Sequence, residues 1–231
     1  MLLSTLLRSN TQLLKICRHM LSSMPTKYKL TYFDARAIAE IARQLFAVAG
    51  QPYEDVRIKT LAEWEKLTPE MPFEQIPVME VDGKQLAKSY AICRFLARRF
   101  GYAGKTPFEE ALVDSIADQI KDYMLEIRPF MVALLGLEEV DVDALKKDIF
   151  LPASAKLFGY MRKFLKDSTS GYLVGESLTW ADLYLAEHVA VYGEWFPEML
   201  DGFPEIKSHA EKVRSNPALK NWIETRPKTK F

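Results

Sequence analysis

The sequence predicts a two-domain α+β protein, a small α/β domain followed by an all-helical one. Three observations lead there. Between residues 28 and 101, extended and helical signals follow one another in the order β-α-β-loop-β-β-α. The segment GYAGKTP at 101–107 has the glycine and proline content of a connection. From residue 108 onward the alternation typical of strands disappears and only helical spacing remains. The expected division is an extension at 1–26, a first domain at 27–104 and a helical domain at 105–231.

YKLTYF (28–33) alternates around Leu30 and ends in aromatics, as a strand does. Asp34 is a candidate cap for the next segment, in which Ile38, Ile41, Leu45 and Val48 fall at helical spacing before Gly50. YEDVRI (53–58) reads as a second strand, and residues 59–75, with Pro69 and Pro72, as an irregular, partly helical connection. In IPVMEVDGKQLAKS the pair Asp82-Gly83 is a strong hairpin signal, because a type I′ turn needs positive φ at both central residues. Ser89 precedes YAICRFLARRFG, a helix closed by Gly101. Long amphipathic helices are expected over 108–136 and 143–168, separated by an acidic turn around Glu138 to Asp143. Thr179-Trp180-Ala181-Asp182 is a capping-box variant with Asp in place of Glu, and Pro204 and Pro217 suit the first turns of two shorter helices.

Composition removes several functional classes. With 231 residues, 31 basic and 31 acidic, the chain has no net charge, which argues against a nucleic-acid binder. No apolar run approaches the roughly 18 residues a membrane helix needs. Cys17 and Cys93 are the only cysteines, too few for a disulfide framework, and a reducing, cytoplasmic setting fits. His19, His188 and His209 lie far apart, so no metal site and no Cys-His hydrolase is expected. Residues 1–33 lack any acid while carrying Arg8, Lys15 and Arg18 among leucines and serines. That composition suits a mitochondrial transit peptide; the other reading is an extension, or upstream sequence bypassed by initiation at Met20 or Met24.

Four motifs together resemble the sigma class of the glutathione S-transferases, prostaglandin-D-synthase-like: KYKLTYFDARAIAE, PFEQIPVMEVDG, LAKSYAICRFL and LTWADLYLAEH, spanning residues 27 to about 190. The resemblance implies a thioredoxin-like domain holding glutathione, a helical domain contributing the acceptor pocket, no metal, and a homodimer. It implies a transferase that holds the thiol of glutathione as thiolate and conjugates it to hydrophobic electrophiles, with peroxidase or prostaglandin isomerase activity as variants of the same chemistry. A non-catalytic ligand-binding or structural protein of the same fold is the alternative.

Residue roles follow from the same resemblance, and for Tyr32, Pro77, Ser89 and Asp122 a plainer reading stands beside it. Tyr32 matches the catalytic tyrosine, whose O–H stabilises the thiolate of a thiol with a free pKa near about 8.5; on pattern alone it is a core aromatic at a strand end. The absence of CxxC at this corner excludes disulfide exchange. Ile76-Pro77 matches the cis-proline edge that pairs with the cysteinyl backbone, with Gln75 beside it; a proline opening a strand is the plainer reading. Ser89 matches the residue holding the γ-glutamyl carboxylate, and is otherwise an N-cap. Trp64 flanks the glycyl end, with Lys66 and Lys88 close to carboxylates. Asp122 matches an acid reaching the glutathione amino group of the neighbouring subunit, and is otherwise a solvated charge. The acceptor pocket is expected from Phe33, Arg36, Tyr123, Ile127 and Phe231. The chain departs from the pattern at Ala37 and Glu74, where glycines are usual, at Ile38, at Lys88 in place of glutamine, and at Thr68 in place of lysine.

Overall fold

A computed structural model of the protein describes residues 26–136 and 140–229. The amino-terminal extension, Phe231 and part of the acidic turn lie outside the described residues.

The first unit is a four-stranded sheet in the order β2-β1-β3-β4, with β1 at Tyr28–Phe33, β2 at Glu54–Ile58, β3 at Val78–Val81 and β4 at Lys84–Ala87. β1 runs parallel to β2, which the intervening helix α1 (Glu40–Val48) makes possible, and antiparallel to β3. β3 and β4 form the expected hairpin, with Asp82 at φ 49° and Gly83 at φ 81°, as a type I′ turn demands. A short helix α2 (Leu61–Leu67) fills the connection, and α3 (Ser89–Phe100) follows β4. This is the thioredoxin-like arrangement.

The second unit is wholly helical among the described residues: α4 (Pro107–Glu126), α5 (Arg128–Leu134), α6 (Val142–Leu145), α7 (Leu151–Lys166), α8 (Trp180–Trp195), α9 (Pro204–Arg214) and α10 (Pro217–Thr225). The connection before α4 is tight. Gly104 sits at φ 115°, and a Cβ there would lie 2.9 Å from the backbone of Glu109.

Three local expectations are corrected. Asp34 does not cap the first helix, which opens with a 3-10 turn at Ala37–Ala39 and becomes α-helical only at Glu40. Ala37 has φ 36°, so the chain is not helical through that position, and Asp34 accepts instead from Arg57 Nη1 at 3.1 Å. Ser89 is not an N-cap either: it is the first helical residue of α3, and Lys88, at φ 74° and ψ 116°, holds the cap position. The two long helices are broken. Pro129 restarts the first at Arg128, and a π-helical turn at Lys146–Phe150 precedes Pro152, which has no N–H for a regular i→i−4 ladder.

One continuous core joins the two units. Leu30, Phe46 and Met79 of the first unit share this core with Ile92 and Leu96 of α3 and with Ile116, Phe158 and Trp180 of the helical unit. Helix α8 lies at its centre, with every side chain from Trp180 to Val189 buried, so it lacks the polar face of a surface helix. Its first turn is fixed by the capping acid foreseen in the sequence. Asp182, fully buried, accepts from the Thr179 N–H and hydroxyl at 2.8 and 2.7 Å, and from the Leu173 N–H at 2.8 Å.

Candidate active site

The two units enclose neighbouring cavities that share one wall residue, Ile38. The larger, of about 480 Å³, is bounded by Phe73, Gln75, Ile76 and Pro77 on the loop before β3, by Ala87, Lys88, Ser89 and Tyr90 where β4 passes into α3, and by Lys121 of α4. The Ile76-Pro77 peptide is cis. The smaller, of about 140 Å³, is mostly apolar: Ala37, Ile38 and Ile41 face Ile120, Met124, Met131 and Leu134, with Tyr184, Glu187, His188 and Tyr192 of α8 and Arg36 at its polar side.

Tyr32 stands behind their common wall. Its side chain is buried at the penultimate position of strand β1, in edge contact with Phe33 at 5.5 Å and with the Arg43 guanidinium 5.9 Å from its ring centroid. The backbone N–H of Ile38 donates to its hydroxyl. Burial raises its pKa above the usual tyrosine value, against the opposing effects of that N–H and of Arg43, so the hydroxyl keeps its proton and is a donor.

The larger cavity gathers Gln75, Ile76, Pro77, Lys88 and Ser89, as the sequence suggested. Lys88 Nζ donates to Gln75 Oε1 at 2.6 Å and lies 5.1 Å from the Phe73 ring centroid. Ser89 opens the twelve-residue α3, so the positive end of a helix faces this space. Trp64 and Lys66 belong to α2 and line neither cavity. Trp64 is held edge-on to Phe33 at 5.7 Å, and the Thr68 hydroxyl donates to the Trp64 carbonyl at 2.8 Å. Lys66 is exposed, and so is Asp122, which does not reach either cavity of its own chain.

The acceptor-pocket residues separate. Arg36 lines the smaller cavity and pairs with Glu187 at 3.6 Å. Tyr123 and Ile127 do not line it; both are almost wholly buried. The reason is helical phase: Ile120 and Met124, four apart, share the stripe that meets the cavity, whereas Tyr123 and Ile127 occupy the adjacent stripe that faces the core. The Tyr123 hydroxyl is bonded at 2.9 Å to both Ser154 Oγ and His188 Nε2. Phe33 packs between Tyr32 and Trp64 and is not among the lining residues. Phe231 is outside the described residues.

Residue pattern gave no notice of a buried ionic network beneath the smaller cavity. Glu40 and Arg43 are fully buried on α1. Glu40 Oε1 accepts from Trp222 Nε1 at 2.7 Å and Arg226 Nη1 at 2.6 Å. Glu187 is approached by Arg36, Arg214 and Arg226 and accepts from Gln44 at 2.8 Å. Burial and the Glu187 charge raise the pKa of Glu40, while Arg226 and the Trp222 indole oppose them. Arg43 donates to the Ala35 carbonyl at 2.6 Å, so the network fixes the turn that follows Tyr32. The one available signal was the pair of polar residues Glu187-His188 in the apolar middle of the helix, between Asp182 and Glu194.

Two departures from the family pattern acquire a physical meaning. Ala37 and Glu74, where glycine is usual, both have positive φ, at 36° and 50°. Glycine has no Cβ to clash in that region.

Comparison with known proteins decides the family. Residues 28–98 match the glutathione S-transferase N-terminal domain, and residues 127–226 the glutathione S-transferase C-terminal domain. Probable glutathione S-transferase 8 of Caenorhabditis elegans is 52% identical over 204 residues, 88% of this chain and 98% of that one. The chain belongs to the glutathione S-transferase family. Among solved structures, monomeric Na-GST-3, a glutathione S-transferase from the hookworm Necator americanus, is 63% identical with a TM-score of 0.87, covering 89% of this chain and all of that one. A Nu-class glutathione S-transferase from Haemonchus contortus is 59% identical with a TM-score of 0.83 over the same shares. The enzyme is thus a glutathione S-transferase with glutathione as co-substrate, and among the described residues no group of side chains could hold a metal ion and no helix is long and apolar enough to cross a membrane.

Proposed function

We propose that Tyr32 activates glutathione as its thiolate, and that the thiolate attacks hydrophobic electrophiles in the smaller cavity. The observation that carries this reading is the position of Ile38. It donates its N–H to the Tyr32 hydroxyl and also forms part of both cavity walls, so the hydroxyl lies at the boundary between a polar space and an apolar one. In the larger cavity, Ser89 and the start of α3 hold the γ-glutamyl carboxylate, the Gln75–Pro77 edge pairs with the cysteinyl backbone, and Lys88 adds positive charge. Trp64 and Lys66 flank the glycyl end. The sulfur then bonds to the electrophilic carbon while the leaving group departs with its electron pair. In reduction of a hydroperoxide, the same thiolate attacks the terminal oxygen, the O–O bond breaks and the alcohol leaves, and a second glutathione thiol then displaces water from the resulting sulfenic acid to give the disulfide. Prostaglandin isomerisation is a third use of the same thiolate.

The class that best fits is Nu rather than sigma, because a Nu-class structure is a neighbour at 59% identity. Asp122 completes a neighbouring site if the chain forms a homodimer, and the domain division at residues 104 and 105 follows the glycine- and proline-containing connection. A reducing, cytoplasmic setting suits the buried, unpaired Cys93.

Replacing Tyr32 by Phe tests the mechanism. Loss of a hydrogen bond to a charged sulfur, about 1.5–3 kcal/mol, is expected to lower kcat/KM toward an aryl halide roughly 10- to 100-fold near neutral pH. Glutathione affinity stays nearly unchanged. Equal turnover by both proteins would remove Tyr32 from the mechanism.

A further inference from the structure

Every residue lining the larger cavity comes from positions 38–90 except one, Lys121 of α4. The two cations in this space are differently placed. Lys88 is engaged with Gln75 at 2.6 Å and with the face of Phe73, on the side of the loop before β3. Lys121 Nζ lies 5.9 Å from the ring centroid of Tyr90, next to Ser89 and the positive end of α3. No carboxylate lines the cavity. Asp118, one turn before Lys121, is already paired with Arg94 at 3.3 Å, and Lys121 itself forms no ion pair among the described residues. A lysine, a helix N-terminus and a serine hydroxyl therefore converge on this cavity, while the nearest acids, Asp118 and Asp122, act on Tyr90 from outside its lining.

We infer that Lys121 is a glutathione-binding residue, supplied by the same chain, that pairs with the γ-glutamyl carboxylate held at Ser89. This rests on the reading of the larger cavity as the glutathione site. It gives the helical unit a direct hold on the tripeptide that does not need a second subunit, in contrast to the role expected of Asp122. Lysine reaches as a compact point charge on a flexible stem, so arginine can replace it here and methionine, of similar length, cannot.

The test is calorimetric binding of glutathione and of the dipeptide Cys-Gly, which lacks the γ-glutamyl group, to the full-length wild type, Lys121→Met and Lys121→Arg. For an exposed charge pair the expected loss of glutathione affinity in K121M is roughly two- to fivefold, larger at low salt. K121R stays within about twofold of the wild type, and Cys-Gly binds all three proteins alike. Because the contact is made within one chain, the loss is also the same across protein concentrations. Unchanged glutathione affinity in K121M, an equal loss for Cys-Gly, or a loss confined to a dimeric fraction would overturn the assignment. Failure of the wild type to bind glutathione would instead overturn the reading of the cavity, so the two failures are distinct.

Discussion

Replacing Asp182 by Ala is expected to be among the most destabilising single changes away from the site. The carboxylate is fully buried and accepts four hydrogen bonds: two from Thr179, one from the Leu173 N–H and one from His209 Nε2 at 2.9 Å. Loss of an N-terminal cap alone costs about 1 kcal/mol. Each buried donor left without an acceptor costs about 1–3 kcal/mol more, but the donors share one acceptor group and their costs do not simply add. Water entering the space left by the carboxylate would recover part of the loss. A net loss of about 3–5 kcal/mol follows, comparable with breaking a buried ion pair. For a chain of this size that corresponds to a fall in Tm of roughly 6–20 °C. Urea unfolding followed by circular dichroism measures it, with the m-value checked for constancy. The substitution Asp182→Asn, which keeps the shape but loses acceptor capacity, should recover only a minor part. A loss below about 1 kcal/mol for Asp182→Ala would show that α8 does not depend on this acid, and the account of the core would have to change.

Three other predictions concern the ground beneath the site. Glu74→Gly and Ala37→Gly should each be neutral to stabilising, because relief of about 1–2 kcal/mol of left-handed backbone strain exceeds the roughly 0.4–1 kcal/mol that glycine adds to the unfolded chain's entropy; urea midpoints would reveal a loss if those backbones are not strained. Arg226→Met removes the 2.6 Å partner of buried Glu40 and should cost about 3–5 kcal/mol, with part of the loss recovered when Glu40→Gln is added; a double-mutant cycle without coupling would contradict the network. His188 is buried and its pKa is pushed down to about 3. Since its folded pKa lies below the unfolded value of about 6.5, the stability it confers is complete above that value and lost as pH falls toward 3. The slope of unfolding free energy between pH 6 and 4 should therefore be shallower in His188→Gln by up to about 1.4 kcal/mol per pH unit, and an unaltered slope would show that His188 is not held neutral.

What could be read in the sequence was local. The Asp82-Gly83 turn, the capping acid at 182 and the prolines at 204 and 217 each act within a few residues, so pattern alone locates them. The start of the first helix was misjudged because Ala37 takes a conformation that its side chain gives no reason to expect. The lining of the larger cavity comes mainly from two short motifs, around Pro77 and Ser89, that the family resemblance had singled out. Of the acceptor-pocket residues expected, only Arg36 among the described ones lines the smaller cavity, because α1, α4, α5 and α8 each contribute one stripe and the phase of α4 decides between Met124 and Tyr123. The pairing of Glu40 with Arg226 spans 186 residues, a separation at which spacing carries no information.

The most direct test of the central claim is a spectroscopic titration of glutathione bound to the full-length protein, following thiolate absorbance against pH. Activation by the Tyr32 hydroxyl predicts an apparent thiol pKa about one to two units below the free value of about 8.5, and a return most of the way to that value in Tyr32→Phe. Saturable binding with an unshifted thiol pKa would contradict it and leave a protein that holds glutathione without activating it.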